Sequence, residues 1–307
     1  MKVRLDKVDP ELKASLEAFP GFDISADFLP IIRQFPAQPA RPTPNYEEVF
    51  IGAAGDDEPL RCLIIDPIPD EENRPVLLYY HGGGFVFGSP EITLPTAQKL
   101  AEDIGCLIIL LDYRLAPEHP FPAALEDGLS VLSWLEANAE RLRLDKTRIA
   151  IGGDSAGGGH AVVLTAAVQA KDGIKPSSLF LAYPMLDNET GIDGDGGTSI
   201  WTSANNRFGW DSYLGNDDIA GKIASGAVPS KIKNLQNFPP TFLATGTLDL
   251  FFEENLTFVE NLQNQGVEVE QHIFEGAYHA FDVLVPDAEI SQRFHKSCVS
   301  YLKRQFK

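Results

Sequence analysis

Residues 148–170 read RIAIGGDSAGGGHAVVLTAAVQA, and the fold turns on them. The opening RIAIG is a short apolar run of the length a buried strand takes. From about residue 156 small and apolar residues continue to residue 170, too long for a strand and suited to a helix. The change of element falls within Gly153-Asp154-Ser155-Ala156-Gly157. Glycine at both ends lets the backbone turn sharply, which lifts Ser155 to the carboxyl end of the strand. The first N–H groups and the dipole of the helix then lie beside its hydroxyl. A bare G-x-S-x-G arises by chance in roughly one in ten chains of this length, so a plain glycine-rich turn competes with a chemical role until partners for Ser155 are found.

Working outward, apolar runs alternate with amphipathic stretches. VLLYY precedes a helix near 94–104, CLIILLD precedes AALEDGLSVLSWLEANA, and SLFLAYP follows the helix after Ser155. The alternation resumes with TFLATG, a helix near 252–264, VEVEQHIF and a C-terminal helix. This order means βαβ crossovers, and therefore an α/β fold whose mostly parallel central sheet is covered by helices on both faces. Ahead of it, YEEVFIG and LRCLIID flank AAGDDEP as a hairpin. Residues 1–45 read as helices and a Pro-rich connector, QFPAQPARPTPN, leading into a main domain over 46–307. Within that domain residues 185–235 lack the alternation, carry the polar run DNETGIDGDGGTS, and read as an insertion at the carboxyl edge of the sheet.

Composition narrows the partners. The chain has 307 residues, 44% of them hydrophobic, with 44 acidic against 25 basic residues and a net charge of −19. Nucleic acid and anionic membranes are poor matches for that balance. No stretch approaches a membrane span, and MKVRLDKVDPELKASLEAF lacks the apolar core of a signal peptide, so a soluble cytoplasmic protein is expected. Cys62, Cys106 and Cys298 are too scattered for a zinc site or a disulfide framework and read as buried free thiols. Neither a metal nor a cofactor is expected, and a homodimer is compatible with the sequence.

A serine that acts as a nucleophile needs a base, and the base needs an acid. Of six histidines, His279 in FEGAYHAFD follows the last strand-like run, whereas His119, His160, His272 and His295 sit in a loop, helices or a strand and read as structural or solvated. His81 belongs to YYHGGGF. In α/β-hydrolases the triad runs serine, acid, histidine along the chain. Asp249, just beyond TFLATG, fits the middle place; Glu253 and Glu254 are rivals whose helical spacing predicts a solvated face. The three glycines of YYHGGGF follow a strand and leave a bare backbone, which is what an oxyanion must approach. Gly83 and Gly84, with the N–H of Ala156, are the candidate oxyanion hole, and His81 is expected to brace the loop.

YYHGGGFVFGS, DYRLAPEHPFPAALED, GGDSAGG and the tail around Asp249 and His279 together resemble the hormone-sensitive-lipase-like branch of the α/β-hydrolase superfamily, mainly bacterial carboxylesterases. The resemblance spans most of residues 75–305. It implies the α/β-hydrolase fold with a helical cap made by the N-terminal helices and residues 185–235. It also implies a serine carboxylesterase with the triad Ser155, Asp249 and His279, acting on a small-molecule ester. The chain departs from the family where D-P-L-x-D is replaced by Asp249-Leu250-Phe251-Phe252-Glu253 and where Ala280 replaces the usual glycine. Phe85, Trp201, Phe208, Trp210, Tyr213 and Phe251 are the candidate lining of an apolar pocket suited to short- and medium-chain acyl groups. Amide or lactone hydrolysis by the same triad is an alternative. So is a non-catalytic small-molecule receptor of the gibberellin-receptor kind, against which the presence of His279 counts.

Overall fold

The computed structural model describes residues 5–19, 21–34, 46–52, 59–169, 171–192 and 200–307. The Pro-rich run, most of AAGDDEP and the glycine-rich part of the insertion lie outside these residues. Eight strands form one sheet: β1 (Tyr46–Ile51), β2 (Leu60–Ile65), β3 (Arg74–Tyr80), β4 (Leu107–Leu111), β5 (Leu144–Asp154), β6 (Ser178–Ala182), β7 (Thr241–Gly246) and β8 (Val269–Phe274). Their spatial order is β1-β2-β4-β3-β5-β6-β7-β8. β1 pairs with β2 and β2 with β4 in antiparallel fashion, and every other pairing is parallel.

The helices are α1 (Lys13–Ala18), α2 (Leu29–Ile32), α3 (Pro90–Ile104), α4 (Ala123–Asn138), α5 (Ala156–Gln169), α6 (Ser203–Leu214), α7 (Ile219–Ala224), α8 (Phe252–Asn264), α9 (Phe281–Leu284) and α10 (Glu289–Gln305). The two faces of the sheet can be read from single strands. In β3, Val76, Leu78 and Tyr80 enter one core and Leu77 and Tyr79 the other; β4 splits the same way, with Leu107, Ile109 and Leu111 opposite Ile108 and Leu110. Period-two alternation with both faces apolar is why these strands appear as unbroken hydrophobic runs. The first core is closed by Val131 and Leu132 of α4, Leu164 of α5 and Phe258 of α8. The second is closed by Leu94 and Leu100 of α3 and by Phe294, Tyr301 and Leu302 of α10. Burying each of these large side chains contributes about 1.5–3 kcal/mol relative to leaving it in water.

One expectation is corrected. α3 starts at Pro90, behind Ser89, rather than near residue 94, and it accommodates Pro95 in its interior. The insertion does contain helices: α6 buries Asn205, Asn206, Gly209, Trp210, Tyr213 and Leu214. That is a helical stripe, but half of it is asparagine and glycine, so no hydrophobic period marks it. The asparagines are buried because they bind backbone. Asn205 Oδ1 accepts from Ile24 N at 2.7 Å and its Nδ2 donates to Phe22 O at 2.8 Å, tying the N-terminal segment to the insertion. The three cysteines are free and buried, as expected.

Candidate active site

The parallel strands end together at one edge. Tyr80 of β3 pairs with Gly153 of β5, Asp154 with Ala182 of β6, and Gly246 of β7 with Phe274 of β8. Each strand then releases a loop, so residues far apart in the chain converge above that edge. Ser155 lies between β5 and α5 with φ of 53°, a left-handed conformation costly for any residue but glycine. Its neighbours pay no steric penalty only because they lack side chains: a Cβ on Gly157 would run into the carbonyl oxygen of Tyr80, and one on Gly153 into the backbone of Gly157. The helix thus packs directly on β3.

His279 follows β8 and stands immediately before α9, with Ala280 in the left-handed region at φ 57°. Its Nε2 lies 2.9 Å from Ser155 Oγ and its Nδ1 2.8 Å from Asp249 Oδ2. An ionised carboxylate can only accept, so Nδ1 carries the proton and Nε2 is the acceptor for the serine hydroxyl. Asp249 is further fixed by the Phe251 N–H, which donates to its other oxygen at 3.0 Å. All three side chains are buried.

Of the rival acids, Glu253 is exposed as expected, but Glu254 is buried rather than solvated. Its carboxyl accepts from Leu186 N at 2.6 Å and from the Thr190 hydroxyl, which anchors the chain leaving β6. Desolvation pushes its pKa well above the usual range. The carboxylate hydrogen-bonded to His279 is that of Asp249.

The glycine loop answers to its sequence. Gly83 and Gly84 have φ of 129° and 58°, and a Cβ on Gly83 would strike the Phe87 carbonyl while one on Gly84 would strike the Trp201 ring. The Gly83 carbonyl accepts from Val86 N at 3.1 Å and Phe87 N at 3.0 Å. Among the described residues the N–H groups of Gly83, Gly84 and Ala156 take no backbone acceptor. His81 does brace this loop: its Nδ1 donates to Gly82 O at 2.7 Å, its ring stacks on Tyr113 at 4.3 Å, and the Tyr113 hydroxyl donates to His81 O at 2.9 Å. Burial lowers the His81 pKa, which keeps the ring neutral.

The chain can now be set beside known proteins. A family model described as the alpha/beta hydrolase fold matches residues 77–283, more than half of the length. The chain belongs to the alpha/beta-hydrolase fold family. It is 32% identical over 289 residues to esterase LipI of Mycobacterium tuberculosis, covering 89% of this chain and 88% of that one. Carboxylesterase NlhH of the same species is 31% identical over 299 residues, with 92% of both chains covered. Among solved structures, esterase LipW from Mycobacterium marinum superposes with a TM-score of 0.88 at 29% identity, covering 100% of this chain and 98% of the other. A bacterial heroin esterase superposes with a TM-score of 0.90 at 28% identity, covering 99% of each.

In this hydrolase the expected pocket aromatics do come together. Phe85, Trp201, Trp210, Tyr213 and Phe251 are buried in one cluster with Ala156, and Phe208 packs against it partly buried. Phe85 stacks on Tyr213 at 4.4 Å and meets Trp210 edge-on at 4.9 Å. Ile24, Leu29 and Ile32 of the N-terminal segment join the same cluster.

Sequence reasoning missed several supports. Arg114, in the DYRLAPEHPFPA stretch, reads as loop, yet its Nε and backbone N–H both donate to buried Asp127, at 2.9 and 2.8 Å. Tyr183, with φ of 37°, sets its ring edge-on to His279 at 5.0 Å. His160 lies inside a cage of Tyr80, Phe85, Tyr113 and Tyr213, where desolvation lowers its pKa to about 3. An aromatic beyond a strand and a histidine in a glycine-rich helix carry no such signal in the sequence. Among the described residues no helix is long and apolar enough to cross a membrane, and no cluster of potential ligands could hold a metal ion.

Proposed function

We propose that this protein is a carboxylic-ester hydrolase working through an acyl-enzyme on Ser155. One observation carries the reading: the unbroken hydrogen-bond chain from Ser155 Oγ through His279 to Asp249, at 2.9 and 2.8 Å. In that chain Ser155 Oγ attacks the ester carbonyl while His279 Nε2 takes its proton, and Asp249 stabilises the imidazolium that forms. The carbonyl oxygen becomes an oxyanion received by the N–H groups of Gly83, Gly84 and Ala156. His279 then hands the proton to the departing alcohol, and a water activated by the same nitrogen releases the acid and restores the serine. Every proton passes through His279 Nε2, so no metal or cofactor is required.

The N-terminal helices and the described residues of 185–235 form the cap in this reading, supported by the Asn205 bonds to Phe22 and Ile24 and by the shared hydrophobic cluster. A pocket walled by packed rings takes up methylenes until it is full. Each buried methylene improves binding by about 0.8 kcal/mol up to that point, and longer chains then clash or stay in water. kcat/KM is therefore expected to peak for acyl groups of about four to eight carbons. The measurement is kcat/KM from two to sixteen carbons, below and above substrate solubility. A maximum at sixteen carbons, or a jump in rate at an oil–water interface, contradicts the closed pocket and marks a lipase.

A further inference from the structure

Besides Asp249, His279 has a second acidic neighbourhood, built on Tyr183 and Asp282. Tyr183, just past the end of β6, holds its ring edge-on to the imidazole at 5.0 Å and donates its hydroxyl to Asp282 Oδ1 at 2.8 Å. Asp282 lies in the first turn of α9, three residues after His279. Tyr183 adopts φ of 37°, an expensive conformation for a bulky residue, and its N–H is held by Ala244 O of β7 at 2.6 Å. Its other side stacks on Phe294 of α10 at 6.0 Å. The backbone therefore carries strain in order to aim this ring.

We propose that Asp282, acting through Tyr183, is a positioning residue for His279: it locks the phenol ring against the imidazole and places a negative charge near the imidazolium formed in each half-reaction. This rests on the triad reading above and adds a second anionic support to that of Asp249.

The surroundings make that charge expensive. Asp154 at the end of β5, Tyr79 of β3, Tyr183 and Cys298 of α10 all act on or beside Asp282, and among the described residues His279 is the neighbour whose positive charge favours its ionised form. Asp282 is half-buried, and desolvation pushes its pKa up to about 6, with the Tyr183 hydrogen bond and His279 opposing the shift. Asp154 is likewise pushed up to about 6, chiefly by desolvation. A carboxyl whose folded pKa is raised binds its proton more tightly in the folded state. Its penalty is absent below the unfolded value of about 3.9 and fully present above about 6. Near neutral pH the fold thus tolerates a destabilising charge beside its histidine, as functional sites often do.

The test is Asp282→Asn, which removes the charge and keeps an acceptor for the Tyr183 hydroxyl, with Tyr183→Phe beside it, which keeps the ring and removes the hydroxyl. Active serines are counted by titration with an organophosphate, and kcat and KM for a soluble chromogenic ester are expressed per titrated serine. We expect kcat to fall on the order of tenfold in each variant with KM within about twofold. The melting temperature of Asp282→Asn is expected to rise at pH 8, with the gain fading as pH drops from 6 towards 4. A residue that only held the fold together would lower the melting temperature and leave turnover per active serine unchanged. Wild-type turnover per titrated serine in Asp282→Asn overturns the inference; should that variant not fold, wild-type turnover in Tyr183→Phe overturns it. Failure of the unsubstituted enzyme to be titrated at all overturns the triad reading instead.

Discussion

Ser155→Ala is expected to lower kcat by about 10⁶, the scale at which loss of a serine nucleophile removes the concerted action of a triad. Without Oγ, His279 Nε2 has no proton to take and its 2.9 Å partner is gone. What remains is binding and the oxyanion donors, worth about 10³–10⁴ over water in such sites. The fold should survive. Alanine meets the same difficulty at φ 53° as serine does, and the substitution deletes one atom from a buried position. Turnover of a chromogenic ester, with circular dichroism as the control for folding, measures the effect. A loss of less than tenfold in a folded variant would show that the reaction does not pass through this hydroxyl.

Asp249→Asn should cost on the order of 10⁴ in kcat. The substituted amide can turn an N–H towards His279 Nδ1, which now lies 2.8 Å from a carboxylate oxygen. The imidazole then carries its proton on Nε2 and presents a donor to Ser155 instead of an acceptor, so the base is in the wrong tautomer. The same comparison settles the acid, because the family's usual motif is altered here by Leu250 and Phe251. Glu253 is exposed, and Glu253→Gln should leave kcat within a few-fold. If Glu253→Gln were as damaging as Asp249→Asn, the acid would have been misassigned.

The sheet and the triad were legible for a shared reason. Strands such as VLLYY and CLIILLD bury both faces, so their composition alone reveals them. The chemistry sits in short segments just beyond strand ends, Gly153–Gly157, His81–Gly84, Asp249 and His279, where local sequence dictates local geometry. What stayed hidden depends on partners distant in the chain. α6 is invisible because its buried face uses asparagines, one of which, Asn205, is satisfied by backbone 181 residues away. Glu254 looks like a surface residue until the backbone of Leu186 and the hydroxyl of Thr190 are seen to accept its burial. Tyr183 and Asp282 are separated by 99 residues and meet only because β6 and β8 end at the same edge of the sheet. Periodicity reports which face of an element is apolar; it says nothing about a polar group whose compensation comes from elsewhere.

The central claim is a covalent bond to one oxygen atom, and mass spectrometry of the organophosphate-treated protein reads it most directly. The account predicts one added phosphoryl group per chain, carried by the peptide containing Ser155, with activity lost in proportion to labelling and no label taken up by Ser155→Ala. A label on another residue, or full activity in a protein quantitatively phosphorylated at Ser155, would contradict it.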